Sequence, residues 1–217
     1  MEVEELKDAE EAAQRCAAVL AAEIGAGARD VALTGGTTPT RAYELLGPMV
    51  ASWEGVSLWY GDERCVPPDH PECNHRAASA HLRAPGALWH PMPGELGPDR
   101  GAARYGAEIA GTTLDVTLLG MGPDGHVASL FPDHAALAAG GSTVGIHDAP
   151  KPPPERISLT LGKLNESRRI VLLVTGEAKR EALRRVIDPD GRADRHVPAT
   201  LLARDRLLVL ADAAAVG

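Results

Sequence analysis

The sequence predicts an α/β fold built on a mainly parallel sheet with helices on both faces. Two patterns predict it. Short apolar runs that read as buried strands alternate with amphipathic helical segments, the signature of successive βα units. Three of those strands end in polar, glycine-rich segments, over residues 34–39, 61–75 and 120–132. The carboxyl ends of the strands are where open α/β sheets bind ligands.

The elements follow in order. Asp8 caps an opening helix, with Glu11 three residues on as in a capping box and Ala9, Ala13, Cys16, Leu20 and Ile24 on one apolar face. Gly25 and Gly27 stop it. Val31-Ala32-Leu33 is the first strand. Thr38 as cap and Pro39 at the first helical position then start a helix carrying Tyr43, Leu45 and Leu46. Val56 to Tyr60 is the second strand, running into a loop that continues through prolines to Asn74. Helical patterns cover His75 to Leu82 and Pro98 to Ile109, and Asp115 to Leu119 is a buried strand. A short strand is expected at Val144 to His147. Lys151-Pro152-Pro153-Pro154 reads as a loop inside one domain, because the strand Arg156 to Leu161 follows at once. Strand Arg169 to Thr175, helix Glu177 to Ile187 and strand Arg206 to Leu210 complete the pattern.

At 217 residues the chain is expected to form one domain, 1–217, hiding about 70% of its extended surface. No apolar run reaches the length of about 20 residues that spans a bilayer. The opening residues are acidic and lack a basic-then-apolar leader, so a cytoplasmic protein with no membrane contact is expected. Net charge is −8, from 30 acidic and 22 basic residues, which argues against nucleic acid as a partner. It leaves room for a small anion, because a few Arg or Lys make a local positive pocket. Cys16, Cys65 and Cys73 follow no framework spacing, which suits a reducing compartment.

The chemistry is expected in the three loops. Thr34-Gly35-Gly36-Thr37-Thr38-Pro39 puts glycines and hydroxyls before a helix start, where free amides and the helix dipole favour a phosphate. It is neither a Walker loop nor a dinucleotide fingerprint. Gly61-Asp62-Glu63-Arg64 places an acid pair and an arginine beyond a strand, as an active-site group or a surface ion pair. Gly120-Met121-Gly122-Pro123-Asp124-Gly125-His126 is the most informative, a constrained backbone presenting Asp124 and His126 two residues apart. Histidine is the commonest general base near neutral pH. Ser129 follows without the G-x-S-x-G frame of a serine hydrolase. Cys65, His70, Cys73 and His75 lack the spacing of a zinc site, so no metal is expected. Arg156 and Lys179 lie where they could complete an anion site.

Together these segments closely resemble the 6-phosphogluconolactonase family. The blocks are Leu33 to Pro39, Trp59 to Pro71, Leu118 to Pro132, Pro154 to Thr160 and Leu173 to Lys179, and they span most of the chain. The resemblance implies hydrolysis of 6-phospho-D-glucono-1,5-lactone to 6-phosphogluconate in the oxidative pentose phosphate pathway, without redox cofactor or obligatory metal. It implies a three-layer α/β/α fold shared with glucosamine-6-phosphate deaminase, acting on a small sugar-phosphate lactone as a monomer or weak homodimer. By motif, His126 activates water, and Asp62, Arg64 and Asp124 line the reaction centre. Gly36, Thr37, Arg156 and Lys179 hold the phosphate. Thr37, Cys73, His75, Val127 and Gly162-Lys163 depart from the residues usual in the family.

Two rivals are weighed. A deaminase of this fold has Asn-Glu-Pro shortly after its His loop and Tyr at the position of Arg64; here Ser129-Leu130-Phe131-Pro132 follows instead. A sugar-phosphate sensor in a transcription regulator needs an attached DNA-binding unit, and the residues before the first expected strand are read as a single acidic helix.

Overall fold

The computed structural model describes residues 1–217. Its strands are β1 (Glu2–Leu6), β2 (Asp30–Leu33), β3 (Ser57–Tyr60), β4 (Asp62–Arg64), β5 (Leu88–Trp89), β6 (Val116–Gly120), β7 (Thr143–Ile146), β8 (Arg156–Leu159), β9 (Arg169–Val174) and β10 (Leu207–Asp212). The helices are α1 (Ala9–Gly25), α2 (Thr37–Leu46), α3 (Asn74–His81), α4 (Pro98–Glu108), α5 (Leu161–Asn165), α6 (Arg180–Ile187) and α7 (Ala213–Val216). The fold is α/β, with a seven-stranded sheet in the order β1-β10-β9-β6-β2-β3-β5 in a three-layer α/β/α arrangement. Every pairing in that sheet is parallel. Its central strands β2, β6, β9 and β10 are nearly continuous runs of buried Val, Ile, Leu and Ala, as a sheet covered on both faces requires. One continuous core of 56 buried residues surrounds it.

Strand order reverses around β2 and β6. The chain runs outward from β2 through β3 to β5, then returns to the other side at β6 and continues to β9, β10 and back beside β1. Such a reversal opens a crevice at the carboxyl ends of the two strands. Residues 34–39 leave β2 and residues 121–132 leave β6, so both glycine-rich segments flank it.

Several elements differ from the sequence reading. The chain opens with β1, not with the helix: Glu2–Leu6 adds a parallel edge strand to β10. Glu2 and Glu5 are exposed at an edge, where charge discourages further pairing, and Glu4 is held by Arg15 of α1 at 2.6 Å; this polarity hides the strand from a search for apolar runs. The helix face of α1 comprises Ala12, Ala13, Cys16, Ala17, Leu20 and Ile24, while Ala9 is exposed. Asp8 caps it as expected, accepting the Glu11 amide at 2.9 Å, and Glu11 reaches back to the Lys7 amide at 2.6 Å. Helix α2 begins two residues earlier than expected: Gly36 is its cap, Thr37 its first residue, and the Thr38 hydroxyl bonds Thr175 at 2.8 Å. Gly36 sits at φ +118°, a conformation costly for any residue with a Cβ.

Residues 62–64 form a strand, not a loop. β4 pairs antiparallel with β8, which pairs with β7, giving a second, three-stranded sheet. Thr160 ends β8 two residues early by capping α5, accepting the Lys163 amide at 3.1 Å. The segment 177–187 is a turn of 3₁₀ helix over Glu177–Lys179 followed by α6. No helix is long and apolar enough to cross a membrane.

Candidate active site

The crevice holds a cavity of about 390 Å³, whose walls include Gly36, Thr37, Asp62, Arg64, His126, Arg156 and Lys179. Asp124 does not line it directly; it stands behind His126. The structure thus gathers the eight residues to which the resemblance gives roles at one place, seven on the wall and Asp124 behind His126.

His126 is placed by its own loop. The Gly122 amide donates to the His126 carbonyl at 2.9 Å, closing the turn. A Cβ on Gly122 would fall 2.1 Å from His126 Nδ1 and 2.4 Å from Asp124 Oδ1, so the ring and the carboxylate pack onto the space a side chain would fill. Asp124 Oδ1 meets His126 Nδ1 at 2.6 Å. Burial pushes the Asp124 carboxyl up, but the hydrogen bond and charge of His126 more than reverse this and hold it at about 2. An ionised carboxylate can only accept, so Nδ1 carries the proton, and Nε2 is the nitrogen that bears the lone pair when the ring is uncharged. Nε2 has no hydrogen-bond partner in the protein. Phe131 packs against the ring, centroids 4.8 Å apart.

Asp62, Glu63 and Arg64 alternate sides because they are a strand. Asp62 and Arg64 line the cavity and Glu63 points away into the protein. Ser129 Oγ donates to Asp62 Oδ2 at 2.7 Å and Asn74 Nδ2 to Asp62 Oδ1 at 3.4 Å, fixing that carboxylate, while Asn74 Nδ2 also donates to the Asp62 carbonyl at 2.9 Å. Glu63, 1% exposed, accepts the amides of Arg64, Asn74 and His75 at 2.8, 2.7 and 2.9 Å. Burial raises its pKa, opposed by those three amides. The carboxylate therefore ties β4 to the start of α3. Arg64 pairs with neither Asp62 nor Glu63; Nη1 donates to the Glu72 carbonyl at 2.7 Å and forms an ion pair with the Glu72 carboxylate at 3.5 Å.

The cationic end of the cavity comes from three segments. The amides of Thr37 and Thr38 open α2, where no carbonyl lies one turn back to receive them. Lys179 ends the 3₁₀ turn after β9, and its ammonium makes no ion pair or hydrogen bond with the protein. Burial lowers its pKa, aided by the charge of Lys151. Arg156 is 6% exposed and stands directly opposite Arg64 in the β4–β8 ladder. Burial lowers its pKa, and Arg64 adds to the effect. Like charges opposed across a ladder repel, and the charge of Asp62 on the same wall opposes this effect on Arg156.

Sequence reasoning missed the roles of four residues. Asn74 and Ser129 orient Asp62, Glu63 clamps the loop, and Lys151 lines the cavity from the proline segment. Ser129 stood in view within its loop, but only the fold brings it to Asp62. The cysteine–histidine group is used locally: Cys73 Sγ donates to Glu63 and His75 Nδ1 shares a 2.7 Å hydrogen bond with Tyr60. No group of three or more His, Cys, Asp or Glu is arranged to hold a metal ion.

Known proteins share this sequence and architecture. Residues 4–210 match the family described as glucosamine-6-phosphate isomerases/6-phosphogluconolactonase. A 6-phosphogluconolactonase of Synechocystis sp. is 34% identical over 205 residues, spanning 88% of this chain and 84% of that protein. One from Mycobacterium leprae is 37% identical over 194 residues, 79% of this chain and 78% of the other. The GDH/6PGL endoplasmic bifunctional protein of Oryctolagus cuniculus is 38% identical over 181 residues, which are 76% of this chain and 23% of that longer protein. The crystal structure of a protein described as a putative 6-phosphogluconolactonase from Neisseria gonorrhoeae superposes with a TM-score of 0.85 at 29% identity, covering 98% and 99% of the two chains. A monomeric glucosamine-6-phosphate deaminase shares the fold, with a TM-score of 0.84 at 22% identity. This chain belongs to the glucosamine-6-phosphate isomerase/6-phosphogluconolactonase family.

Proposed function

We propose that the protein hydrolyses 6-phospho-D-glucono-1,5-lactone to 6-phosphogluconate, the step of the oxidative pentose phosphate pathway that its named relatives carry out, with the whole chain as one catalytic unit. The observation that carries this reading is the Asp124–His126 pair, its free Nε2 set in a cavity whose other end is cationic. Nε2 takes a proton from water as the water oxygen bonds to the lactone carbonyl carbon, giving a tetrahedral oxyanion. Asp124 stabilises the imidazolium so formed. Arg64 faces the negative charge that grows on oxygen, and Asp62 orients a substrate hydroxyl. The ring C–O bond then breaks, and the imidazolium returns the proton to the departing oxygen. Gly36 and Thr37 offer the α2 amides to the phosphate, with Lys179 and Arg156 as its cations.

This assignment favours the lactonase over the deaminase, because Ser129 and Phe131 occupy the stretch after the His loop and serve Asp62 and His126. The test follows acid release from freshly generated 6-phosphogluconolactone, counting only the excess over spontaneous hydrolysis, with glucosamine-6-phosphate run in parallel. Lactone turnover without ammonia release is expected. Ammonia release without lactone turnover overturns the reading.

A further inference from the structure

The proline segment after β7 carries a cation that the site above does not use. Lys151 and Pro152 line the cavity. Arg156, nearly buried at the start of β8, hydrogen-bonds back onto this segment. Nε donates to the Pro153 carbonyl at 3.0 Å, and Nη2 to the carbonyls of Lys151 at 3.1 Å and Pro152 at 3.4 Å. Its Nη1 has no partner in the protein. One guanidinium thus pins three successive carbonyls and fixes the backbone from which the Lys151 side chain leaves.

Lys151 makes no ion pair or hydrogen bond, and neither does Lys179 on the same cavity. They are two of only four lysines in a chain with 30 acidic residues. Of the others, Lys163 is tied to the Thr112 carbonyl and to Glu166 at 3.4 Å. Two ammonium groups brought to one cavity, neither in an ion pair with an acid, repel each other, and a doubly charged anion between them removes that cost.

We propose that Lys151 is a phosphate-binding residue of this site, presented by the segment that Arg156 pins, so that the phosphate is gripped between Lys151 and Lys179. The inference rests on the lactonase reading. Lys151 contacts the ligand; Arg156 is, in addition to its free Nη1, a positioning residue for Lys151.

The experiment measures kcat/KM for 6-phosphogluconolactone and for unphosphorylated glucono-1,5-lactone, and takes their ratio. Lys151 is exposed, so its substitution leaves the core intact. Lys151→Ala is expected to lower the ratio by about 10-fold to 100-fold, the loss of one charge-assisted contact. The loss falls on KM for the phosphorylated lactone, and Lys151→Arg recovers most of it. In an Arg156→Lys background, which keeps the charge and loses the fork, Lys151→Ala is expected to cost several-fold less, because the segment is no longer held. Lys179→Ala serves as the reference. An unchanged ratio in Lys151→Ala beside a collapsed ratio in Lys179→Ala overturns the inference and leaves the lactonase reading standing. Strictly multiplicative effects of the Lys151 and Arg156 substitutions overturn the positioning role. A ratio near one in the unsubstituted protein overturns the lactonase reading itself.

Discussion

Arg64 and Arg156 face each other across the β4–β8 ladder, paired Cα to Cα on the wall of the cavity. Asp62 is paired with Ser158 two residues away, and the half-exposed Glu72 reaches Arg64 at 3.5 Å, so Asp62 is the one buried carboxylate near the two guanidinium groups. On the proposed phosphate assignment, a bound ligand adds negative charge beside this pair. A phosphorylated sugar acid should therefore stabilise the fold by more than its few contacts alone suggest. Saturating 6-phosphogluconate, at about 100 times its Kd, is expected to add about 2.7 kcal/mol and raise Tm by several degrees. Gluconate at the same concentration should do far less. Equal shifts for the two ligands in a thermal melt would count against a phosphate site at this wall.

Lys179 offers the simplest probe of that site. Burial and the neighbouring Lys151 both lower its pKa, opposed by the charge of Asp124, and its ammonium is in no ion pair. Lys179→Ala removes one charge-assisted contact, about 1.5–3 kcal/mol, and should raise KM for the phosphorylated lactone by roughly 10-fold to 150-fold while kcat changes little. Steady-state kinetics on both lactones check this. A fall confined to kcat would place Lys179 at the reaction centre instead.

Much of this site was legible in the sequence because its residues sit in turns whose glycines and prolines mark strand ends. His126, Asp124, Gly36 and Thr37 lie within single short loops, and a loop after a strand of a parallel sheet has only one end of the molecule to occupy. What stayed hidden depends on pairing. β4 is three residues of mixed charge, and only its ladder with β8 shows that Asp62 and Arg64 share a face while Glu63 turns inward. β1 was hidden because its exposed glutamates mask a strand that one side of the sheet still needs. The cap of α2 was misplaced by two residues because Gly36 at positive φ starts the helix, freeing Thr38 to bond Thr175.

Glu63 illustrates a carboxylate that organises the site without touching it. Three backbone amides converge on it, and no basic side chain neutralises it. Glu63→Gln keeps the size but presents an NH₂ where one of the amides now points, leaving a donor facing a donor. The cost is expected at about 1–3 kcal/mol of stability. Asn74 should lose its hold on Asp62, so kcat falls in the folded variant as well. Urea unfolding with kinetics on the same sample tests both, and undiminished stability would show that the amides find other partners.

The thiols are expected to be dispensable. Burial pushes Cys65 up to about 12 and Cys73 up to about 11, so both stay protonated at neutral pH. Cys65→Ser and Cys73→Ser should each retain most activity, and exhaustive chelation should leave the rate unchanged. Stoichiometric zinc whose removal abolishes turnover would reverse this view.

The pH profile ties the chemistry to one pair. Asp124 is held at about 2 against an ordinary 3.8, so it is ionised throughout the range in which an imidazole titrates, about pH 5 to 8. Its partnership with His126 supports the fold above the ordinary carboxyl pKa and is lost only as pH falls through about 2. Loss of activity between pH 8 and 5 therefore cannot come from Asp124 protonating. In the proposed mechanism Nε2 must accept a proton from water, and a protonated ring has no lone pair with which to do so. The expected kcat/KM profile is a single acid limb, falling tenfold per pH unit at its steepest, while the protein remains folded. His126→Ala should remove that limb and lower kcat by about 10²–10⁴-fold with little change in KM, because the ring acts on the water and not on the phosphate. Asp124→Asn keeps the ring but not the charge that supports the imidazolium, and should lower kcat by about 10²–10⁴-fold with the fold intact. The assignment is falsified if correctly folded His126→Ala keeps near-normal lactonase activity across this range, since the base would then have to be Asp62, the other carboxylate on the cavity wall.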